Sequence, residues 1–390
     1  MAADQDPQLE DVLENEVTLP VFDPLSPRLR LREPSYDVGE VRSFLREILG
    51  DKAGREARVA SVESEFATHF GFSHSVLVDS GSSAVLLGLG ALLESGRLRA
   101  GDEVVLTELA SPSMIWAIRQ LPLVPVLVDV DPFTWNIAVA DIVAALSPAT
   151  RIVIATHVLG NPCDMTALQE LAQERDLIIF EDCRDALGAA HADQNVGNFG
   201  TVASFRLNAS DHAAVVHAGL CVTQDRQLAD LLRSLRAKEW RVQAGFSYVP
   251  LGRMIEFRRE REENVNYWKQ EINDLCDYFE FQEEGSNSRH AWCGFPIVVK
   301  ESAPFSRVVL TSYLHRQGIE TRPISRRAGT LEGPLPESFS TTTRSRPRRP
   351  HSSWILSNAF AMGNHRAVAD GGLEYLVDCY HDFLSEGEWI

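Results

Sequence analysis

The sequence predicts an α/β protein: a mostly parallel central sheet with helices on both faces, followed by a smaller C-terminal α+β domain. Three observations carry this. Apolar runs at Val76–Val78, Glu103–Leu106, Pro125–Val128, Arg151–Thr156 and Leu177–Phe180 alternate with stretches of helical periodicity. Strands that alternate with helices imply a parallel sheet covered on both sides. The chain has 390 residues and 44% hydrophobic content, enough to bury one large core and a second, smaller one.

Taken in order, residues 1–35 are acidic and proline-interrupted and read as an N-terminal arm. Residues 36–240 form the large α/β domain. Within it, Met165, Leu168, Leu171 and Ala172 recur at helical spacing, with Asp164 placed to cap that helix. Residues 241–390 hold a connector helix and the small domain. Lys238–Tyr248 reads as a connector, and Arg253–Phe279 is charged and helical in pattern. His290–Lys300 (HAWCGFPIVVK) is a strand, Phe305–Gln317 a helix and Ile319–Pro323 a second strand. Residues 325–352, rich in Pro, Ser, Thr and Arg, read as a long surface loop. A final helix is expected over Val368–Leu384, and no internal repeat is present.

Charge and composition exclude several classes. A net charge of −18 gives no basic footprint for nucleic acid or an anionic membrane, and the short run Arg344–Arg349 reads as a solvated loop. No apolar stretch approaches 18 residues, and the acidic N-terminus lacks a signal-peptide layout. The six cysteines, at 163, 183, 221, 276, 293 and 379, show no CxxC spacing, which suits reduced thiols in a cytoplasmic protein and no metal site. HExxH, GxSxG and P-loop patterns are missing.

Four stretches could carry chemistry. Ser80-Gly81-Ser82-Ser83 follows a strand and opens a helix, the layout of a phosphate cradle and equally of an ordinary helix cap. "LIIFEDCRDALG" ends a buried strand in Glu181-Asp182. Acids at carboxyl ends of strands face the ligand crevice of an open sheet, and an aspartate there can keep a pyridine nitrogen protonated. Asp211, His212 and His217 in "RLNASDHAAVVHAG" are acid/base candidates. His157 in "IATHVLGNP" either stacks on a cofactor or satisfies a strand end. The lysines add a constraint. There are four, Lys52, Lys238, Lys269 and Lys300, so nothing from 53 to 237 can form an imine.

In order and spacing, "DSGSSAVLLGLGALL", "AGDEVVL", "PVLVDVDPFTWNI", "SPATRIVIATHVLGNPCDM", "LIIFEDCRDALGA" and "GNFGTVASF" resemble the DegT/DnrJ/StrS sugar aminotransferases. These are fold-type-I, pyridoxal-phosphate-dependent proteins of nucleotide-sugar metabolism. "HVLGNP", "GSSA" and "GFPIVVKE" are most similar to the nucleotide-hexose 3-dehydrases. The resemblance covers residues 60–240 strongly and 290–325 moderately. It implies that Gly81, Ser82, Ser83 and Ser204 take the cofactor phosphate and Asp182 the pyridine nitrogen. The family's lysine falls around Ala209–His212. In the 3-dehydrases a histidine replaces it and the cofactor is bound non-covalently in its aminated form, which makes His212 the natural base, beside Asp211 and near His217.

Departures from the family pattern all fall in the site. Gly-Glu-Gly-Gly reads His217-Ala218-Gly219-Leu220, the stacking aromatic is replaced by Ser111, and Val249-Pro250-Leu251 stands where an asparagine reaches the neighbouring subunit. Arg184 stands where one subgroup has its first iron–sulfur cysteine, so no such cluster is implied. Ordinary transamination, which regenerates an internal aldimine, is excluded in this region. Three readings remain. One is a lyase of the dehydrase type using pyridoxamine or pyridoxal phosphate. Another is a cofactor-free catalyst on the same scaffold, acting on a nucleotide sugar or other biosynthetic intermediate. The third is a non-catalytic subunit. The resemblance implies a homodimer, or for the last reading a heterodimer with an active homologue.

Overall fold

The computed structural model describes residues 29–30, 52–207, 218–238, 251–324, 344–345, 350–365, 368 and 371–387. Asp211, His212, His217, most of the N-terminal arm and all of the Lys238–Tyr248 connector except Lys238 lie outside these residues.

The chain opens with α1 (Lys52–Phe70), then β1 (His74–Val78), α2 (Gly81–Glu94), β2 (Glu103–Thr107), α3 (Pro112–Gln120) and β3 (Val124–Val128). It continues through α4 (Val139–Ala145), β4 (Thr150–Thr156), α5 (Met165–Arg175) and β5 (Ile178–Asp182). A small hairpin follows, β6 (Ala190–His191) and β7 (Gln194–Asn195), then β8 (Val202–Leu207), β9 (Ala218–Thr223) and α6 (Arg226–Ala237). All five apolar runs form strands with ends shifted by at most two residues, Leu177 alone falling just before β5. The expected cap is in place too, with Asp164 Oδ1 accepting the Ala167 amide at 3.0 Å.

The remainder comprises α7 (Leu251–Glu271), β10 (Phe279–Phe281), β11 (Ser288–Arg289), β12 (Phe295–Val299), α8 (Arg307–Arg316) and β13 (Thr321–Pro323). It ends with β14 (Arg344–Ser345), α9 (Pro350–Asn358), β15 (Ala359–Met362) and α10 (Gly372–Glu386).

The main sheet runs β1-β9-β8-β5-β4-β2-β3-β14. Only β9 is antiparallel to its neighbours; the other seven strands point one way. Alternate residues of each strand enter opposite layers, so one sheet needs two helical covers. Val76, Val104, Ile152 and Phe180 pack under α2, α3 and α6. Val105, Val153 and Ile179 meet Met165, Leu168 and Leu171 of α5, while Leu77 and Phe205 meet Phe66 and Phe70 of α1. The small domain is a separate antiparallel sheet, β10-β12-β15-β13, with its own core around Trp268, Phe279 and Tyr380.

One expectation is corrected. The span 325–352 is not loop throughout: β14 joins the edge of the main sheet in parallel with β3, and α9 starts at Pro350. Proline suits a helix start, and the first turn is secured by Asp129 at the end of β3, which accepts from the Ser352 amide (2.7 Å) and hydroxyl (2.7 Å). That capping group lies more than 200 residues upstream and leaves no local signature.

Candidate active site

The carboxyl ends of β1, β2, β4, β5 and β8 and the start of β9 converge on a cavity of about 590 Å³. Its wall includes Ser80, Gly81, Ser82, Ser111, Ser113, Thr156, His157, Asp182, Arg184, Asp185, Arg206 and Arg322. This is the crevice where open α/β sheets bind ligands. Three arginines face two aspartates, a local positive excess in a chain of net charge −18.

The turn after β1 is built as the sequence indicates. Ser80 caps α2, its Oγ accepting from the Ser83 amide at 3.1 Å, and its carbonyl takes the Ala84 amide at 3.0 Å. The cap therefore uses later amides and leaves those of Gly81 and Ser82 at the open end of the helix. Two glycines are dictated by close packing. A Cβ on Gly81 would sit 2.9 Å from Arg206 Cβ and 3.0 Å from Arg184 Cδ, and one on Gly219 would fall 2.1 Å from the Ser80 carbonyl oxygen. The missing side chain of Gly219 is what lets β9 run beside the turn at Ser80.

At the end of β5, Asp182 does not reach into open space. Arg184, two residues on, grips it with two parallel bonds, Nε to Oδ1 at 2.6 Å and Nη2 to Oδ2 at 2.7 Å. The same guanidinium crosses to the start of α3, bonding Ser111 Oγ through Nη2 at 2.7 Å and Ser113 Oγ through Nη1 at 2.7 Å. Four of its five N–H donors are thus engaged. Asp182 is 4% exposed and Arg184 8%. Burial works against the Arg184 charge, but the adjoining Asp182 carboxylate outweighs it and raises the guanidinium further.

His157 borders the cavity but its ring is held in the wall. Its Nδ1 accepts the Cys163 amide at 3.0 Å, which places the ring proton on Nε2, 3.3 Å from Glu181 Oε2. Glu181 also accepts the amides of Gly197 (2.7 Å), Phe199 (2.8 Å) and Gly200 (2.6 Å). Cys183 completes a buried His–Glu–Cys group, the one arrangement of potential metal-binding side chains that comes together among the described residues. Its chemistry is that of a hydrogen-bonded strut. Nε2 carries a proton, every Glu181 oxygen is committed to donors, and burial pushes the Cys183 thiol up to about 12. These bonds fix the His157 ring just past the end of β4, at the cavity wall.

The predicted site residues divide accordingly. Gly81, Ser82, Asp182 and His157 come together around the cavity, and Ser83 serves the helix cap. Ser204 is fully buried in β8, outside the cavity wall, with its hydroxyl unpartnered among the described residues. Asp211, His212 and His217 are outside the described residues. Sequence reasoning missed Arg206, Arg322, Ser113 and Thr156, and it registered Arg184 and Ser111 only as losses. Thr156 is 8% exposed, lines the cavity and has a hydroxyl without a partner among the described residues.

The fold has its counterparts among solved structures. The E coli GDP-4-keto-6-deoxy-D-mannose-3-dehydratase with bound hydrated pyridoxal phosphate superposes with a TM-score of 0.77 at 23% identity, over 91% of this chain and 99% of the other. An aminotransferase from Psychrobacter cryohalolentis gives 0.79 at 20%, over 90% and 98%. The DegT/DnrJ/EryC1/StrS aminotransferase family model matches residues 38–250 and 240–380. The chain belongs to this family. Among characterised relatives, the GDP-4-keto-6-deoxy-D-mannose 3-dehydratase of Yersinia pseudotuberculosis is 28% identical over 331 residues, 75% of this chain and 84% of the relative. The lipopolysaccharide biosynthesis protein RfbH of Salmonella typhimurium is 27% identical over 371 residues, 83% and 84%.

Pyridoxal phosphate, bound in the E coli dehydratase structure, sets a geometric demand on these residues. A pyridinium N–H needs an Asp182 oxygen at about 2.7–3.2 Å, with its ring extending from there into the cavity. Both Asp182 oxygens are already taken by the Arg184 guanidinium, which reaches on to Ser111 and Ser113 across the cavity wall. The residues do not fit the ring.

Proposed function

We propose that this protein binds a nucleotide sugar or a related phosphorylated intermediate of nucleotide-sugar or natural-product biosynthesis, and works on it without vitamin B6. The observation that carries this reading is the Arg184 guanidinium, bonded to Asp182, Ser111 and Ser113 in a cavity that Arg322 also lines. Relatives are named for GDP-4-keto-6-deoxy-D-mannose and GDP-perosamine, and one for a dTDP-linked sugar, and the cavity offers what a sugar phosphate requires. Arg322 supplies charge, as does Arg206 in its ion pair with Asp185, the amides at the start of α2 a further anion contact, and the Thr156 hydroxyl a buried polar group awaiting a partner. Of the three readings left by the sequence, the cofactor-free one is favoured over the pyridoxamine-dependent lyase. Its acid/base groups are proposed to be His212, with Asp211 and His217, and Asp182 is assigned to holding Arg184.

The test is calorimetric titration of the full chain with GDP- and dTDP-linked sugars, with no B6 vitamer present. Saturable binding is expected, weakened about tenfold or more by Arg322→Ala, since a charge-assisted hydrogen bond contributes about 1.5–3 kcal/mol. Binding that appears only after addition of pyridoxamine phosphate would sink the reading. A second reading, a non-catalytic subunit that pairs with an active homologue, draws on the apolar shelf beside the cavity mouth, where Trp116 of α3 is 43% exposed next to Leu86 and Ala117. Isolation with a catalytically active homologue, together with loss of that association in Trp116→Glu, would favour it.

A further inference from the structure

We infer that the Arg184 guanidinium is an internal replacement for the cofactor's pyridinium, so that removing this one side chain opens a slot for a planar cation. The inference rests on the proposed B6-independent reading of the cavity and concerns a different property, what the slot itself recognises. A pyridinium is a flat delocalised cation donating an in-plane N–H to a carboxylate. The guanidinium is also flat, delocalised and cationic, and it donates two in-plane N–H bonds to Asp182.

Three features mark it as a built-in part. The alkyl stem lies against Gly81, at the point where a Cβ would come within 3.0 Å of Cδ, so the helix start is shaped around it. The far edge is received by two hydroxyls, Ser111 and Ser113, which also lie 2.9 Å from each other and form one receptor. Arg184 stands in the turn directly after the strand that ends in Asp182, so donor and acceptor are two residues apart in the chain. Taken without the side chain, what remains is a buried carboxylate, two hydroxyls and a glycine-floored opening at a helix start: a receptor for a planar cation bearing an anionic group.

The experiment compares wild type with Arg184→Ala, using guanidinium chloride and pyridoxamine phosphate as probes. Wild type should show no saturable pyridoxamine fluorescence change. Millimolar guanidinium, which has no stabilising effect on wild type, should raise the melting temperature of Arg184→Ala, whereas potassium chloride should not. Pyridoxamine phosphate should bind the variant at least about tenfold more tightly than wild type and be displaced by guanidinium. Arg184→Met, which fills the slot without charge, should bind neither probe. Should Arg184→Ala not fold by itself, the double variant Asp182→Asn/Arg184→Ala leaves no buried unpaired carboxylate and should fold but gain nothing from guanidinium.

Saturable binding of pyridoxamine phosphate by wild type overturns the inference. So does an Arg184→Ala that folds but responds to neither probe, and so does equal guanidinium rescue of the double variant. Sugar-nucleotide titration of the same preparations separates the two ideas. Loss of that binding with guanidinium rescue intact removes the functional reading alone; retained binding with no rescue removes only the assignment of the slot.

Discussion

Glu181 and Asp182 are adjacent acids at the end of one strand, and they are stabilised in opposite ways. Glu181 points into the scaffold and is held by three backbone amides and the His157 ring. Asp182 points into the cavity and is held chiefly by one side chain, Arg184. Backbone donors survive almost any substitution around them, because every residue but proline carries one. A side-chain donor exists only as long as one codon does. The pair therefore shows where this fold is free to change: the strut beneath the sheet end is written in the main chain, and the chemistry above it in replaceable side chains.

Substitutions can break this contrast from either side. Glu181→Ala should have the largest effect, a loss of about 4–6 kcal/mol in urea unfolding, because three amides, that of Gly197 buried and those of Phe199 and Gly200 part-buried, lose their acceptor together at about 1–3 kcal/mol each. Arg184→Ala should cost about 3 kcal/mol by leaving Asp182 buried without its counter-charge. If the two variants lost stability in the reverse order, the division into main-chain strut and side-chain site would be wrong. Gly219→Ala sharpens the boundary between them. A Cβ 2.1 Å from the Ser80 carbonyl must displace the cradle turn, for about 1–3 kcal/mol, and sugar-nucleotide affinity should fall with it.

The smallest effect is expected far from both acids. Asp225 caps α6 through the Gln227 and Leu228 amides, and its hydrogen bond with Arg97, followed by those amides, holds its carboxyl below the usual range. Asp225→Ala should cost about 0.5–1 kcal/mol near neutral pH. A group with a depressed native value contributes stability above its unfolded value and loses it as pH falls through the native one. The wild-type advantage over Asp225→Ala should therefore vanish in acid. A deficit that persisted unchanged there would remove the charge from the explanation.

Much of the scaffold was legible because it is periodic. The five strand runs, the Asp164 cap and the Ser80 turn all follow from local pattern, and each forms where that pattern puts it. What escaped was written in pairs of distant residues. Ser111 registered as a lost aromatic and Arg184 as a lost cysteine, yet together they make one contact over 73 positions. Neither residue alone announces its partner, since an arginine's reach is set by the fold that places it. Likewise β14 is two residues long, too short for a period, and exists through pairing with β3. The acid/base candidates Asp211, His212 and His217 remain assignments from motif position.

The Arg184 contact also bears on how the protein is maintained in the cell. A bound cofactor stabilises its host by mass action, in proportion to the logarithm of its free concentration, so a depleted vitamin leaves the protein weaker. A guanidinium carried on the chain is present at one equivalent from the moment of synthesis and cannot be diluted away. On the inference drawn above, folding of this protein is independent of the B6 supply, and an apo-form lacking its central cation never exists.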